Sequence, residues 1–74
     1  MELKELRETE GYTQRGLARL SGVNQATISK VEAGLTGNVT MDVVLRLAHA
    51  LKVEPATLFF MLAEVERNIA KGDE

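Results

Sequence analysis

Three glycines, Gly11, Gly22 and Gly34, divide the first half of the chain into short segments whose apolar residues follow helical spacing. Glycine ends helices because it adopts the left-handed backbone conformation at little cost. Thr13 and Asn24 follow two of these breaks, and both are residue types that cap the start of a helix. The pattern predicts three short helices, over about 2–9, 14–20 and 24–33.

The second half of the chain predicts two further helices. Thr40 caps a helix over 41–51, and Pro55 begins a helix that reaches about 69, because proline lacks only an amide that would be unbonded there. The apolar positions of the fourth helix are Met41, Val44, Leu47, Ala48 and Leu51. The fold class is therefore all-α: one five-helix domain over 1–70, followed by a polar tail over 71–74.

The chain is short for a stable monomer. A domain of 74 residues buries only about 60% of the surface of its unfolded chain. The sequence has no cysteine, so neither disulfides nor cysteine-ligated metal can support the fold. No apolar run approaches the roughly 18 residues that cross a bilayer, and the first residues carry no signal-peptide pattern. We expect a soluble cytoplasmic protein with no membrane, metal, cofactor or small-molecule ligand.

Charge is distributed unevenly along the chain. The net charge of −2 argues against a nucleic-acid partner when it is taken as an average. Residues 12–34, however, hold Arg15, Arg19 and Lys30 against Glu32 alone, which makes this the one basic segment. Any contact with a polyanion is therefore expected in this segment.

The same segment, 13–34, has the spacing of two helices that cross steeply at a three-residue turn. Such a crossing needs a small residue where the helices touch, which is Ala18, and a residue that tolerates the turn, which is Gly22. Ile28 and Val31 are then expected to fill the angle between the two helices. In the second helix, Leu17 and Leu20 complete an apolar stripe with Ala18.

Segment 13–34, TQRGLARLSGVNQATISKVEAG, resembles the helix-turn-helix motif of the lambda repressor/Cro-like family. The matching residues are Thr13, Gln14, Leu17, Ala18, Gly22, Val23, Thr27, Ile28, Ser29, Glu32 and Gly34. Flanking similarity extends the match to about residues 3–60. The resemblance implies a transcriptional regulator that binds double-stranded operator DNA as a homodimer, with helix 24–33 in the major groove and half-sites about one helical turn apart.

The resemblance assigns roles residue by residue. Gln25, Ala26 and Lys30 match base-reading positions, where an amide can pair with adenine, a lysine with guanine, and a methyl group with thymine. Contacts to the DNA backbone are implied for Gln14, Arg15, Arg19, Asn24, Thr27 and Ser29. In some relatives the residue that matches Gln14 instead supports the first side chain of the recognition helix. Arg7 and Glu32 match a pair that forms a largely buried salt bridge in several relatives.

The sequence departs from the family pattern after Thr13. Most relatives have acidic residues there that complete a capping box, whereas this chain has Arg15 and Gly16. Bare amides and a guanidinium suit an anion, so we interpret the change as a phosphate contact at this helix start. The loop over 35–38 lacks the basic residues that are frequent in relatives, which predicts a shallow salt dependence.

The last helix carries more apolar residues than a small monomer buries easily. We interpret the surplus as a homodimer interface over helix 55–69, formed by Leu58, Phe59, Phe60, Leu62, Val65 and Ile69. Controller proteins of restriction-modification systems have a similar five-helix layout and a phenylalanine-rich last helix, although few residues carry this likeness.

Two other functions remain open from the sequence. The same domain could act mainly by binding another protein, as an antitoxin or adaptor. An enzyme is disfavoured, because the chain has no cysteine, one histidine, His49, and no glycine-rich phosphate loop. For a regulator of this kind we also expect autoregulation. The test is a reporter fused to the gene's own promoter, whose expression should respond to the level of the protein.

Overall fold

The computed structural model describes residues 2–35, 37 and 39–72, with side chains described as far as residue 63. The described residues form five helices. The helices are α1 Leu3–Thr9, α2 Gln14–Ser21, α3 Gln25–Glu32, α4 Met41–Leu51 and α5 Pro55–Gly72. No strand occurs in this part of the chain, which confirms the all-α fold class.

The helix boundaries follow the local signals in the sequence closely. Side chains of Thr13, Asn24 and Thr40 each accept a hydrogen bond from a backbone amide at the start of the next helix, as predicted. Helix α2 extends one residue beyond its predicted end, to Ser21, and α3 ends one residue earlier, at Glu32. Helix α5 reaches Gly72 rather than 69, so the predicted polar tail begins inside a helix.

The core lies where α2 packs against α3 and α4, and where α4 packs against α5. Leu17, Ile28, Leu47, Leu51 and Leu58 are its largest fully buried side chains. Burying a leucine or isoleucine side chain contributes about 1.5–3 kcal/mol, so these contacts between helices account for much of the stability. Helix α1 packs against α3.

Two residues that the helical spacing placed in the core are exposed. Leu20 is 54% exposed on α2, and Met41 is 56% exposed at the start of α4. Leu20 is the second-last residue of α2 and Met41 is the first residue of α4, so both lie at a helix end. None of the helices described is both long and apolar enough to span a membrane.

Candidate nucleic-acid interface

Helix α3 is divided into one buried and one exposed face. Ile28 and Val31 are 0% and 4% exposed and pack into the core, as predicted. Gln25, Ala26 and Lys30 all lie on the exposed side, and Thr27 is half-buried at its edge. Ser29 is also exposed. The helix therefore presents to solvent every side chain to which the sequence assigned base reading.

Asn24 caps the start of α3. Its side-chain oxygen Oδ1 accepts a hydrogen bond from the Ala26 amide at 2.7 Å. The amide nitrogen Nδ2 of Asn24 can still donate a hydrogen bond to an external acceptor, because this bond uses only the oxygen. No acidic residue lies in the first turn of α3, so nothing offsets the positive end of the helix dipole there.

The start of α2 is capped without an acidic partner. Thr13 Oγ1 accepts a hydrogen bond from the Gly16 amide at 3.0 Å, and the first turn contains no acidic residue. A Cβ atom at Gly16 would lie 3.2 Å from Thr13 Oγ1, which is tight. Arg15 and Arg19 are exposed. This helix start thus combines positive dipole, free amides and a guanidinium, which together favour an anion.

The turn between α2 and α3 is fixed by Gly22 and Ser21. Gly22 has a φ of 76°, in the left-handed region, as predicted. Ser21 is 8% exposed; its hydroxyl donates to the Leu17 carbonyl at 2.7 Å and accepts from the Val23 amide at 3.1 Å. This role of Ser21 was not predicted from the sequence, where its only signal is a serine directly before the turn glycine.

The carboxylate of Glu32 links helices α1, α2 and α3. Arg7 on α1 donates from Nε to Glu32 Oε2 at 2.6 Å and from Nη2 to Oε1 at 3.1 Å, and from Nη1 to the Tyr12 carbonyl at 2.7 Å. Gln14 Nε2 donates to the same Glu32 Oε1 at 3.2 Å. The side chains of Arg7 and Glu32 are only 9% and 6% exposed.

Burial and hydrogen bonding act in opposite directions on the pKa of Glu32. Burial alone would raise the pKa of this carboxyl. Hydrogen bonds from Arg7 and Gln14, together with the Arg7 charge, outweigh burial and hold the pKa of Glu32 below its ordinary value. The hydrogen bond to Glu32 raises the pKa of Arg7. Glu32 is therefore ionised and accepts three of the four hydrogen bonds of this network, while the Tyr12 carbonyl accepts the fourth.

The apolar residues of α5 separate into two groups. Leu58 and Leu62 are 0% and 6% exposed and belong to the core, which corrects their assignment to a dimer interface. They are buried because α5 packs against α4 through them. Phe59 and Phe60 are 44% and 66% exposed, with ring centroids 5.8 Å apart in an edge-to-face arrangement. The side chains of Val65 and Ile69 lie outside the described residues.

Two further features of the described residues are a groove beside α3 and the histidine His49. An open groove of about 480 Å³ borders α3, lined by Thr27, Lys30, Val31, Leu35, Gly37 and Val39. Thr27 and Lys30 are its polar side chains, and this lining includes no carboxylate, histidine or cysteine. No group of three metal-ligating side chains occurs among the described residues, and His49 lies exposed on α4.

Comparison with known proteins agrees with this geometry. A family model described as helix-turn-helix matches residues 3–58. The chain therefore belongs to the helix-turn-helix family, of the lambda repressor-like type. It is also similar to RghRB, an uncharacterized HTH-type transcriptional regulator of Bacillus subtilis (strain 168), at 42% identity over 52 residues.

The similarity covers 70% of this chain but only 37% of that relative, so the chain corresponds to a minor part of it. No solved structure gives a significant match to the chain.

Proposed function

We propose that the protein is a sequence-specific DNA-binding regulator of transcription, located in the cytoplasm, that acts as a homodimer with α3 in the major groove. The observation that carries this proposal is the exposed face of α3, which presents Gln25, Ala26 and Lys30 while Ile28 and Val31 are fully buried. The name of the Bacillus relative supports a regulatory role. No catalytic step is part of the proposal.

Base reading is assigned to three exposed side chains. The Gln25 amide has the donor and acceptor that pair with adenine N6 and N7, and the Lys30 ammonium can donate to guanine O6 and N7. Ala26 offers only a methyl group, which suits the methyl group of thymine. Each good pairing contributes about 1–3 kcal/mol of discrimination, so one short helix cannot select a single genomic site without a second subunit.

Backbone contacts are assigned to the basic and polar groups around α3. Arg15 and Arg19 lie exposed on α2, and Asn24 retains a free donor after capping α3. Thr27 and Ser29 on α3 add hydroxyl groups. These contacts would fix the register of the protein on the duplex, whereas the three base-reading residues would supply the sequence information.

The homodimer is assigned to the exposed phenylalanines of α5. Phe59 and Phe60 lie side by side at the surface, and aromatic side chains dominate the energetics of protein interfaces. Sedimentation equilibrium should show a dimer that Phe60→Ser dissociates. Leu20→Ser is the matched control, because Leu20 is 54% exposed on a different helix and should leave the dimer intact. A monomeric wild type would overturn the assignment.

The direct test of the function is selection of DNA by the full chain from a random duplex library. We expect a two-fold symmetric site whose half-sites lie about 10 base pairs apart, because two copies of α3 must enter successive major grooves on one face of the duplex. Enrichment of no sequence over the starting library would refute sequence-specific binding.

A second function, a module that binds another protein, has one observation in its favour. The exposed Phe59 and Phe60 could contact a different chain instead of a second copy, as in an antitoxin or adaptor. In that case Phe60→Ser would abolish capture of the partner, whereas Gln25→Ala would not affect it. If the protein is instead a DNA-binding regulator, Gln25→Ala should abolish its biological activity.

A further inference from the structure

Gln14 is the first residue of α2, yet its side chain is directed into the protein. The side chain is half-buried, and its Nε2 donates to Glu32 Oε1 at 3.2 Å. An ionised carboxylate can only accept hydrogen bonds, so the NH₂ end of the amide must be the end that faces Glu32. The same oxygen, Oε1, also accepts from Arg7 Nη2.

The hydrogen bond from Gln14 to Glu32 joins two different helices. Glu32 is the last residue of α3, whereas Gln14 opens the helix start that we assign to phosphate. The Gln14–Glu32 bond therefore links the helix that would hold the DNA backbone to the helix that would read bases. Arg7 donates to both oxygens of the carboxylate and is itself hydrogen-bonded to the Tyr12 carbonyl.

We propose that Gln14 is a positioning residue for DNA recognition, which acts through Glu32 to hold the start of α2 at a fixed distance from α3. This inference rests on the proposed function. A contact from Gln14 to phosphate would be a different role with different consequences. A displacement of about 1 Å between the two helices would leave the phosphate contacts usable but would misplace Gln25 and Lys30 relative to the bases.

The two roles of Gln14 differ in their dependence on DNA sequence. Loss of a phosphate contact from its neutral amide would weaken binding to all DNA equally, and only loss of a charged contact such as Arg15 would also lower the slope of log K against log salt by about 1. Loss of positioning weakens binding to the specific site, while binding to unrelated DNA and the salt slope remain unchanged. The ratio of specific to nonspecific affinity therefore separates the two roles.

The experiment compares Gln14→Ala, Gln14→Met and Arg15→Ala by fluorescence anisotropy over a salt series, on the selected site and on a shuffled duplex. Gln14→Met preserves the approximate length of the side chain, has no hydrogen to donate and adds no charge beside Glu32 or the phosphates. For both Gln14 variants we expect the specificity ratio to fall about tenfold, with an unchanged salt slope. For Arg15→Ala we expect an unchanged ratio and a lower slope.

An unchanged ratio in both Gln14 variants, or a loss that is equal on the two duplexes, would overturn the proposal. Thermal melting of each variant confirms that it is folded under the binding conditions, and Gln14→Met provides the result if Gln14→Ala does not fold. If the wild type does not distinguish the two duplexes, the proposed function fails instead.

A measurement without DNA tests the bond itself. In nuclear magnetic resonance spectra, the side-chain amide signals of Gln14 should shift in Glu32→Gln, while those of the exposed Gln25 should not. Unshifted Gln14 signals would overturn the positioning role whatever the binding results are.

Discussion

Replacing Arg7 with methionine tests the energetic role of the buried ion pair. Methionine retains the length and apolar contacts of the arginine stem but removes all the donors. The change leaves the Glu32 carboxylate, whose side chain is 6% exposed, without its cation, and leaves the Tyr12 carbonyl without the guanidinium. Breaking a buried pair by removing one partner destabilises proteins by about 3–5 kcal/mol.

That loss is large relative to the stability of a chain of this size. At about 0.05–0.15 kcal/mol per residue, 74 residues give a total of roughly 4–11 kcal/mol. Since 1 kcal/mol shifts the melting temperature of such a domain by about 4–8 °C, we expect Arg7→Met to melt at least about 12 °C below the wild type. Circular dichroism at pH 7 measures this, with protein concentration held constant because dimerisation also stabilises the fold.

A second variant shows whether the cause is the unpaired carboxylate. Adding Glu32→Leu to Arg7→Met removes the uncompensated charge, so the double variant should be more stable than Arg7→Met alone. The reasoning would be refuted if Arg7→Met lowered the unfolding free energy by less than about 1 kcal/mol. It would also be refuted if the destabilisation in the double variant equalled the sum of the two single destabilisations.

The same pair predicts a dependence of stability on pH. The pKa of Glu32 is lowered in the folded protein relative to an unfolded value of about 4.3. The ionised carboxylate therefore contributes stability that is fully present above the unfolded pKa and is lost as the pH falls through the folded pKa. Between pH 5 and 3, the unfolding free energy should decrease less in Glu32→Gln than in the wild type. Glu10→Gln, at an exposed position, is the control.

Four further substitutions test three separate features of the structure. Lys52 adopts a φ of 59° at the end of α4, so Lys52→Gly should raise the unfolding free energy by about 0.5–1 kcal/mol in urea titrations, and a decrease would contradict this. Gly22→Ala and Gly11→Ala should each lower the unfolding free energy by about 1–2 kcal/mol, because both glycines have positive φ. Only Gly22→Ala should also displace the Arg46 guanidinium, whose Nη1 lies 3.0 Å from the added Cβ. Arg15→Glu should weaken DNA binding at every sequence, and unchanged affinity would refute a phosphate contact at the start of α2.

The sequence predicts all five of the described helices, because most of the signals that begin and end them are local. Thr13, Asn24 and Thr40 cap the helices that follow them, and each acts on amides only two or three residues away. Gly22 acts through its own backbone. Helix ends are predicted less accurately: α2 extends to Ser21, whose hydroxyl bonds to the Leu17 carbonyl and the Val23 amide depend on the geometry of the turn.

Contacts between helices are harder to predict. Leu58, Leu62 and Phe59 form one continuous apolar arc in the sequence, and only the packing of α5 against α4 decides which are buried. Gln14 likewise has no partner that its spacing reveals. Its bond to Glu32 depends on the crossing of α2 and α3, which brings residues 18 positions apart into contact.

The central claim is that the exposed face of α3 reads DNA sequence, and its most direct test is the affinity of Gln25→Ala for the selected site and for a shuffled duplex. Anisotropy should be measured near physiological salt, because low salt strengthens binding of any basic surface. The account predicts tight binding of the wild type to the selected site alone, and a loss of about 5- to 150-fold on that site in Gln25→Ala, which corresponds to about 1–3 kcal/mol. Equal wild-type affinity for both duplexes, unaffected by the substitution, would contradict it.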